Sequence, residues 1–176
     1  MRLREVEFAP KFKTTDTQKR VFNLEDKREK VLLLAFFRYA SCPLCNLRVH
    51  QLIQNQAILE QQIEIVLVFQ SPIDKIEKYV GKQDVPYRII ADPKRKLYKL
   101  YGVENSWLGF FKAWTIKIPK VFSAVIGHRY LPGSMEGEIH RIPADFMIDK
   151  NGTILNAYYG KDIGDHLPLK EIMKLL

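Results

Sequence analysis

Residues 31–45 read Val31-Leu-Leu-Leu-Ala-Phe-Phe-Arg-Tyr-Ala-Ser-Cys-Pro-Leu-Cys45. The apolar run from Val31 to Phe37 is typical of a strand buried on both faces, and hence of the centre of a sheet. A helix is predicted to begin at Cys42, because Pro43 already has the backbone angle that a first helical turn requires. A buried strand that leads directly into a helix predicts an α/β fold with both cysteines at the turn between the two elements.

The segments after this turn continue the alternation of helix and strand. The first helix is predicted to end near Gln61, and the apolar run Ile63–Phe69 predicts a second strand. Ser71 and Pro72 predict the cap and first turn of a further helix, with Asp74 as the acid of a capping box. A β-α-β-α order of this kind favours parallel strands joined by helical crossovers.

A third strand and a third helix are predicted in the middle of the chain. The strand covers Pro86–Ala91. The helix begins with the cap Asp92 and with Pro93 in its first turn, runs to about Tyr101 and is closed by Gly102. The predicted sheet therefore has at least three parallel strands.

The C-terminal part predicts a different arrangement. Residues 145–149 and 153–159 flank Lys150-Asn-Gly152, and Asn-Gly between apolar runs predicts a two-residue hairpin turn at an antiparallel edge of the sheet. A last helix is predicted over Asp165–Leu176, with Pro168 in its first turn and an apolar face that packs on the sheet, formed by Leu169, Ile172, Met173 and Leu176. The whole pattern predicts a three-layer α/β sandwich with a central mixed sheet.

Residues 104–141 are predicted to form a basic amphipathic insertion. Aromatic and aliphatic residues of Trp107–Ile126 recur every three or four positions, with lysines off that stripe and a kink expected at Pro119. Between Pro93 and Tyr130 there are eight basic residues and one acid, which account for most of the net charge of +8. The helix packs on its own domain in the simplest interpretation. The alternatives are a lid, a contact between copies of the chain, and a peripheral helix on an anionic membrane surface.

Length and composition limit the function classes. A chain of 176 residues with 47% hydrophobic and 27% charged residues predicts a single folded domain over residues 1–176 and argues against disorder. The first ten residues lack the apolar core of a secretory signal, so a cytoplasmic location is expected. The positive charge lacks any recognisable nucleic-acid-binding pattern, so nucleic acid is not a predicted partner.

Cys42 and Cys45 carry the chemical prediction. Free backbone N–H groups and the helix dipole stabilise a thiolate at a helix N-terminus, so Cys42 is the predicted nucleophile. Cys45, one turn later, is the predicted resolving residue that attacks a mixed disulfide or a sulfenic acid on Cys42. Arg38 and Arg48 are candidate sources of further positive charge, and Ser41 is a candidate donor to the Cys42 sulfur.

Other interpretations of these residues remain open at this stage. In one interpretation the two thiols are buried and inert. In another, Cys42, Cys45 and His50 offer three ligands for zinc, although no pattern for a fourth ligand follows. Neither a metal nor a cofactor is predicted. The four histidines, which include His166, are expected on the surface or at caps. Asp145 is a candidate proton relay, but an acid at the start of a strand is expected to be solvated.

Four segments together carry a family resemblance. They are Phe36–Cys45, Ala9–Phe12 with Asn23–Glu25, Val85–Val103, and Ile142–Gly152. They resemble the thioredoxin-like superfamily and, within it, the peroxiredoxin-like family of alkyl hydroperoxide reductases and thiol-specific antioxidants. The resemblance covers nearly the whole chain outside residues 104–141.

This resemblance implies a peroxide, disulfide or sulfenate substrate and a reducing thiol donor such as thioredoxin, glutaredoxin or glutathione. It also implies that Ile142-Pro143 is a cis peptide that faces Cys42 and helps to position the substrate. Pro43 is a further candidate for positioning, and Ser41 or the Tyr39 phenol is a candidate to replace the family hydroxyl that orients the peroxide. The chain departs from the family pattern at Ala35 and Tyr39, where a Pro and a Thr or Ser are usual. The usual Arg before the hairpin strand is also unmatched, since Arg141 is near but out of register.

Together these observations predict a peroxiredoxin-like thiol oxidoreductase that reduces peroxides or disulfides. The alternative from another class is a redox-passive thioredoxin-fold module that docks an acidic partner or a membrane surface through its basic aromatic segment.

Overall fold

The computed structural model describes residues 2–105, 133 and 135–175. The strands are β1 (Lys13–Thr15), β2 (Val21–Asn23), β3 (Val31–Phe36), β4 (Ile63–Phe69), β5 (Arg88–Ala91), β6 (Ala144–Ile148) and β7 (Ile154–Tyr159). The helices are α1 (Pro43–Gln54), α2 (Gln56–Gln62), α3 (Ile73–Tyr79), α4 (Lys96–Leu100) and α5 (Leu169–Lys174), with a 3₁₀ turn at Gly81–Gln83. The helix predicted over Trp107–Ile126 lies outside the described residues.

Five of the described strands form a mixed sheet around β3, and β1 and β2 pair separately as an antiparallel ribbon. The order is β5-β4-β3-β6-β7, with β3, β4 and β5 parallel and with β6 and β7 antiparallel to their neighbours. Leu34 of β3 pairs with Val66 on one side and with Phe146 on the other. The predicted central strand, the parallel half and the antiparallel edge are all confirmed.

The two faces of β3 bury different partners. Leu33, Ala35 and Phe37 join a cluster with residues of α1, α3 and α5. Leu32, Leu34 and Phe36 join a second cluster with α4, Tyr101 and Phe22 of β2. Because side chains alternate along a strand, one apolar run fills both layers, which confirms the three-layer sandwich.

The first predicted helix is broken at Asn55. The sequence predicted one helix from Cys42 to about Gln61, whereas α1 ends at Gln54 and α2 begins at Gln56. The Asn55 Nδ2 donates to the carbonyl of Gln51 at 2.8 Å. Asparagine favours such local bonds over a continuous helix, and the periodicity of the apolar residues did not reveal this break.

Two further predictions at helix and hairpin ends were wrong in detail. The cap of α3 is Pro72, without a side-chain capping bond, and Ser71 instead accepts a bond from the Ala40 N–H at 2.8 Å. The β6–β7 hairpin has a three-residue loop, since Asp149 N donates to Thr153 O at 2.8 Å. Gly152 takes the positive φ of 88° that closes this loop.

The last helix is shorter than predicted. It begins at Leu169 with Pro168 as its cap, because residues 165–167 belong to a loop that is tied to β6. Ile172 is fully buried as predicted, but Met173 is exposed, and Leu176 lies outside the described residues. None of the helices in the described part of the chain combines the length and apolar character that a membrane crossing requires.

The carboxylate of Asp92 caps α4 from four residues away. The helix begins at Lys96 rather than at Pro93, yet the Asp92 oxygens accept the N–H groups of Lys96 at 3.0 Å and Leu97 at 2.7 Å. These bonds satisfy donors that a helix N-terminus otherwise leaves unpaired. The predicted capping role of Asp92 is confirmed, although the start of the helix was misplaced.

Removal of this cap is expected to lower the free energy of unfolding. Asp92→Ala should cost about 1–2 kcal/mol, as measured by urea denaturation, because it leaves the first N–H groups of α4 unpaired. The matched control is Asp74→Ala, which removes an exposed acid from the first turn of α3 where no side-chain cap exists. Equal losses of stability in both variants would contradict the capping role.

Candidate redox site at the end of the central strand

The backbone places Cys42 at the N-terminus of α1. The chain leaves β3, and the Cys42 N–H donates to Tyr39 O at 3.1 Å, which closes a turn. Cys42 is the N-cap residue, with the extended angles φ −67° and ψ 119°, and Pro43 is the first helical residue. The predicted strand, turn and helix around Cys42 are therefore confirmed.

Both thiols are free and buried, and they differ in acidity. Cys42 is 1% exposed and Cys45 is 2% exposed. Burial alone raises the pKa of the Cys42 thiol. The hydrogen bond from the Cys45 thiol, the charge of Arg38 and the N–H groups of Cys45 and Leu44 outweigh burial and lower that pKa to about 6. Cys42 is therefore a thiolate at neutral pH.

The same interactions act in the opposite direction on Cys45. Burial, the hydrogen bond to Cys42 and the negative charge on Cys42 hold the pKa of the Cys45 thiol well above its usual value. Cys45 therefore keeps its proton while Cys42 is charged. The structure divides the pair into one ionised sulfur and one protonated sulfur.

Arg38 is the charged partner of Cys42. Its Nη1 donates to the Cys42 Sγ at 3.3 Å, and its Nη2 donates to the carbonyl of Ile139. Arg38 is 3% exposed, and its guanidinium lies over the ring of Tyr39, 4.9 Å from the ring centre. The sequence suggested Arg38 as a source of positive charge, and the structure supplies the direction of its side chain.

Arg48 and Arg141 have other partners. Arg48, on α1, donates to Leu167 O at 2.6 Å. Arg141 contacts the Tyr98 ring, the Glu138 carboxylate and the Val103 carbonyl. Among the described contacts, Arg38 is therefore the cation that hydrogen-bonds to the Cys42 sulfur.

Tyr39 stands where the family pattern has a hydroxyl residue. Burial and the negative charge on Cys42 raise the pKa of the Tyr39 phenol to about 12, so the phenol keeps its proton at neutral pH. Ser41 is also buried. Ser41 directly precedes Cys42 in the chain, and Tyr39 lies three residues before it.

The prediction of a cis peptide at Ile142-Pro143 is wrong. This bond is trans. Pro143 O accepts the N–H of Gly160 at 2.9 Å, and the Ile142 N–H donates to Glu104 O at 3.3 Å. Pro143 thus extends the β6–β7 pairing by one bond in the ordinary lower-energy isomer, which the family resemblance did not anticipate. Ile142 nevertheless packs in the same apolar cluster as Cys42.

Residues 136–141 form a strap beside the redox turn, a feature that the sequence did not reveal. The Gln70 amide exchanges two hydrogen bonds with the backbone of Glu138, and Ser71 donates to the Glu136 carboxylate. Gly137 has φ 71°, and a Cβ there would lie 2.7 Å from the Gln70 side chain. The strap therefore needs glycine at this position, and its Ile139 carbonyl completes the surroundings of Arg38.

A buried acid lies on β6, and its histidine partner lies in the loop between β7 and α5. Asp145 is buried rather than solvated, and its carboxylate accepts the Leu167 N–H at 2.6 Å and contacts His166 Nδ1 at 3.0 Å. Burial raises the pKa of Asp145, but His166, the charge of Arg48 and the Leu167 N–H together bring it below its usual value. The expectations of a solvated Asp145 and a surface His166 were wrong.

Zinc ligation by Cys42, Cys45 and His50 finds no support in the geometry. Within the part of the chain that the structure describes, no three His, Cys, Asp or Glu side chains converge as metal ligands. The cysteine pair with Arg38 is a redox arrangement of a buried thiolate, a protonated thiol and a fixed cation.

Comparison with known proteins assigns the family. The sequence model of the AhpC/TSA family matches residues 7–157. The chain belongs to the AhpC/TSA family. It is also 24% identical over 159 residues to a Haemophilus influenzae protein named as the peroxiredoxin bcp, with coverage of 90% of this chain and 87% of that protein. This AhpC/TSA protein is therefore a peroxiredoxin-like thiol oxidoreductase.

Solved structures agree with the fold of this AhpC/TSA protein. A cysteine-to-serine mutant of PrxQ from Xylella fastidiosa superposes with a TM-score of 0.69 at 12% identity, over 99% of this chain and 94% of that chain. A peroxiredoxin-like protein from Aquifex aeolicus gives a TM-score of 0.69 at 15% identity, over 100% and 90% of the two chains. These likenesses confirm the thioredoxin-like architecture.

Neutralisation of Arg38 is expected to reduce the acidity of Cys42. In the wild type, the rate of alkylation by iodoacetamide should reach half its maximum near pH 6, the pKa of Cys42. In Arg38→Met, the midpoint should move upward by about 1–3 pH units, because a cation in contact with the sulfur is lost. Alkylation of a Cys45→Ser background reports Cys42 alone.

Arg88→Met serves as the control, since Arg88 contacts Asp16 and Val21 at the start of β5. An unchanged midpoint in Arg38→Met, or an equal change in Arg88→Met, would contradict the role of Arg38.

Replacement of Asp145 is expected to destabilise the fold in a pH-dependent way. Asp145→Asn should lose about 2 kcal/mol or more at pH 7, because a buried charged acceptor is removed from His166 and Leu167. The folded-state pKa of Asp145 lies below the unfolded value of about 3.9. The difference between wild type and variant should therefore persist above about pH 4 and shrink as the pH falls through the folded-state pKa.

Urea denaturation at pH 7, 5 and 3 measures this difference. Asp162→Asn is the control, since it changes an acid in the same loop that accepts a bond from the Gly164 N–H. A difference between wild type and Asp145→Asn that grows on acidification would contradict the assignment.

Proposed function

We propose that the protein is a two-cysteine thiol peroxidase in which Cys42 attacks the peroxide and Cys45 resolves the product. The observation that carries the proposal is the contact of Arg38 with a Cys42 sulfur whose pKa is lowered to about 6. A buried thiolate that a cation stabilises is the reactive form of cysteine in thiol enzymes. Membership of the AhpC/TSA family supports a peroxide as the substrate.

The first step is oxidation of Cys42. The thiolate attacks the terminal oxygen of a hydroperoxide, an S–O bond forms and the O–O bond breaks. The leaving alkoxide or hydroxide takes up a proton and departs as alcohol or water, and Cys42 becomes a sulfenic acid. The Arg38 guanidinium, which already lies at the sulfur, is placed to stabilise the negative charge that moves to the leaving oxygen.

This role of Arg38 compensates for two departures from the family pattern. Tyr39 replaces the usual hydroxyl residue, and the usual arginine before β6 is unmatched. Arg38 supplies a fixed positive charge from the turn itself, four residues before Cys42. The protonated Tyr39 phenol and the Ser41 hydroxyl are the candidate groups to orient a peroxide, and Pro43 and Ile142-Pro143 are the candidate groups that shape its position.

The second step forms a disulfide. The Cys45 sulfur attacks the sulfenic acid on Cys42, the S–S bond forms, and water leaves with the sulfenic oxygen and the proton of Cys45. A thiol donor of the thioredoxin, glutaredoxin or glutathione class then reduces the disulfide and is itself oxidised. A reducing compartment such as the cytoplasm is part of this proposal, since it keeps both donor and enzyme in their thiol forms.

Disulfide reduction is the second candidate function. The Cys-x-x-Cys spacing favours it, because a substrate disulfide attacked by Cys42 gives a mixed disulfide that Cys45 resolves by the same exchange. Disulfide reduction does not require a side chain that donates a hydrogen bond to a peroxide oxygen. The same thiolate thus serves both reactions, and the assay must separate them.

Single-turnover assays with the two cysteine variants test the proposal. Reduced wild type should consume about one hydrogen peroxide per chain and lose both free thiols. Cys45→Ser should consume the same amount and accumulate a sulfenic acid that dimedone labels, because the serine hydroxyl still donates to the Cys42 sulfur but forms no disulfide. Cys42→Ser should consume none. Peroxide loss and dimedone labelling are followed by colorimetry and intact-protein mass spectrometry.

The outcomes separate the candidates. Peroxide consumption by Cys42→Ser at the wild-type rate would refute Cys42 as the attacking residue. Turnover of oxidised glutathione without turnover of hydrogen peroxide or an alkyl hydroperoxide would favour the disulfide reductase.

The organisation of the chain completes the proposal. In this proposal, residues 1–176 form one domain with a basic amphipathic insertion at about 104–141. The docking alternative depends on Trp107–Ile126, which lie outside the described residues. The lowered pKa of Cys42 supports redox activity rather than a redox-passive module.

A further inference from the structure

The side chain of Asn46 ties the redox turn to α1. Asn46 is buried one turn after Cys42. Its Nδ2 donates to the carbonyl of Ala40 at 2.7 Å and to the carbonyl of Cys42 at 3.0 Å. One carboxamide thus binds the backbone of Ala40 within the turn and the backbone of Cys42 at the helix cap.

Gln83 sets the orientation of this carboxamide. Gln83 ends the 3₁₀ turn at Gly81–Gln83, and its Nε2 donates to the Asn46 Oδ1 at 2.9 Å. An asparagine amide has a donor end and an acceptor end. Because Gln83 occupies the acceptor end, the donor end of Asn46 faces the carbonyls of Ala40 and Cys42.

The opposite side of the turn is held by Ser71. The Ala40 N–H donates to the Ser71 Oγ at 2.8 Å, so both backbone polar atoms of Ala40 are bound by side chains. The turn is therefore fixed from the segment after β4 and from α1 together. Cys42 is held in the extended cap conformation that places its sulfur beside the N–H groups of Leu44 and Cys45.

We infer that Asn46 is a positioning residue for the redox reaction, and that Gln83 orients it to hold the Cys42 turn in the conformation that favours the thiolate. Asn46 acts through the backbone of Ala40 and Cys42 and touches neither substrate nor the Cys42 sulfur in the described contacts. This inference rests on the proposed function only in taking Cys42 as the attacking residue.

Two substitutions test the inference through the pH dependence of Cys42 alkylation. Asn46→Ala removes the amide that donates to the carbonyls of Ala40 and Cys42. Gln83→Ala removes the hydrogen bond that orients the Asn46 amide. In a Cys45→Ser background, each should move the alkylation midpoint to higher pH. The rate at pH 6.5 should fall about threefold, as expected for the loss of about one hydrogen bond from the charged form. The rate at pH 9 should stay unchanged, because the thiol is ionised in all variants.

A third variant distinguishes orientation from packing. Gln83→Glu keeps the size of the side chain but replaces the donor to Asn46 by an acceptor. The Asn46 amide should then turn its Nδ2 toward position 83 and its Oδ1 toward the two carbonyls. The alkylation midpoint should move at least as far as in Gln83→Ala. Because the new carboxylate also adds a negative charge that raises the midpoint by itself, Gln83→Met, which keeps the size of the side chain without a donor or a charge, is measured beside it. A side chain that acts only by packing would leave Gln83→Met like the wild type.

The control is Gln54→Ala, an exposed glutamine at the end of α1. The double variant Asn46→Ala, Gln83→Ala should move the midpoint no further than Asn46→Ala alone, because both changes break one chain of hydrogen bonds. Thermal unfolding by circular dichroism reports stability separately. Should Asn46→Ala fail to fold, Gln83→Ala and Gln83→Met decide the question, since Gln83 is only half-buried.

An alkylation profile that stays at the wild-type midpoint in the folded variants would overturn the inference, even with a lower melting temperature. Alkylation requires neither a peroxide nor a disulfide substrate. A protein without peroxidase turnover but with the expected change of midpoint would therefore refute the proposed function and keep the role of Asn46.

Discussion

A negative charge buried at the end of the central strand is the constraint around which the site is built. A sulfur atom that is 1% exposed receives little stabilisation from water, and its ionised form persists only where the protein supplies donors and a cation. The helix N-terminus supplies N–H groups, Cys45 supplies a thiol, and Arg38 supplies the charge. Each of these groups is in turn placed by the elements next to β3.

The arrangement of the sheet explains why these groups meet. β3 lies between β4 and β6, so the turn at its end is reached from both sides. From the β4 side, Ser71 holds Ala40. In the segment before β6, the carbonyl of Ile139 accepts a hydrogen bond from the second guanidinium nitrogen of Arg38. The strap at residues 136–141 is thus part of the electrostatic surroundings of the cysteine pair, although it lies about one hundred residues away in sequence.

Much of this architecture could be predicted from the sequence, because β3, α1, β4 and the β6–β7 hairpin have strong local patterns. A continuous apolar run, a proline after Cys42 and an Asn-Gly pair each act within a few residues. What could not be predicted depends on distant partners. The direction of Arg38, the burial of Asp145 with His166 and the amide chain through Asn46 all join residues from separate elements. The cis peptide at Pro143 was wrongly expected because a family resemblance does not record which local pairings this chain adopts.

The position of Arg38 also has an electrochemical consequence. In the reduced protein the guanidinium faces a thiolate, whereas a Cys42–Cys45 disulfide is neutral and would remove the negative charge that the buried cation contacts. Interactions that stabilise the thiolate therefore favour the reduced form over the oxidised one. The pair is expected to be an oxidising couple that accepts electrons readily from ordinary cellular dithiols. The acidity of Cys42 and the expected ease of its reduction then share one set of causes, namely the Cys45 thiol, the charge of Arg38 and the helix N–H groups that stabilise the thiolate.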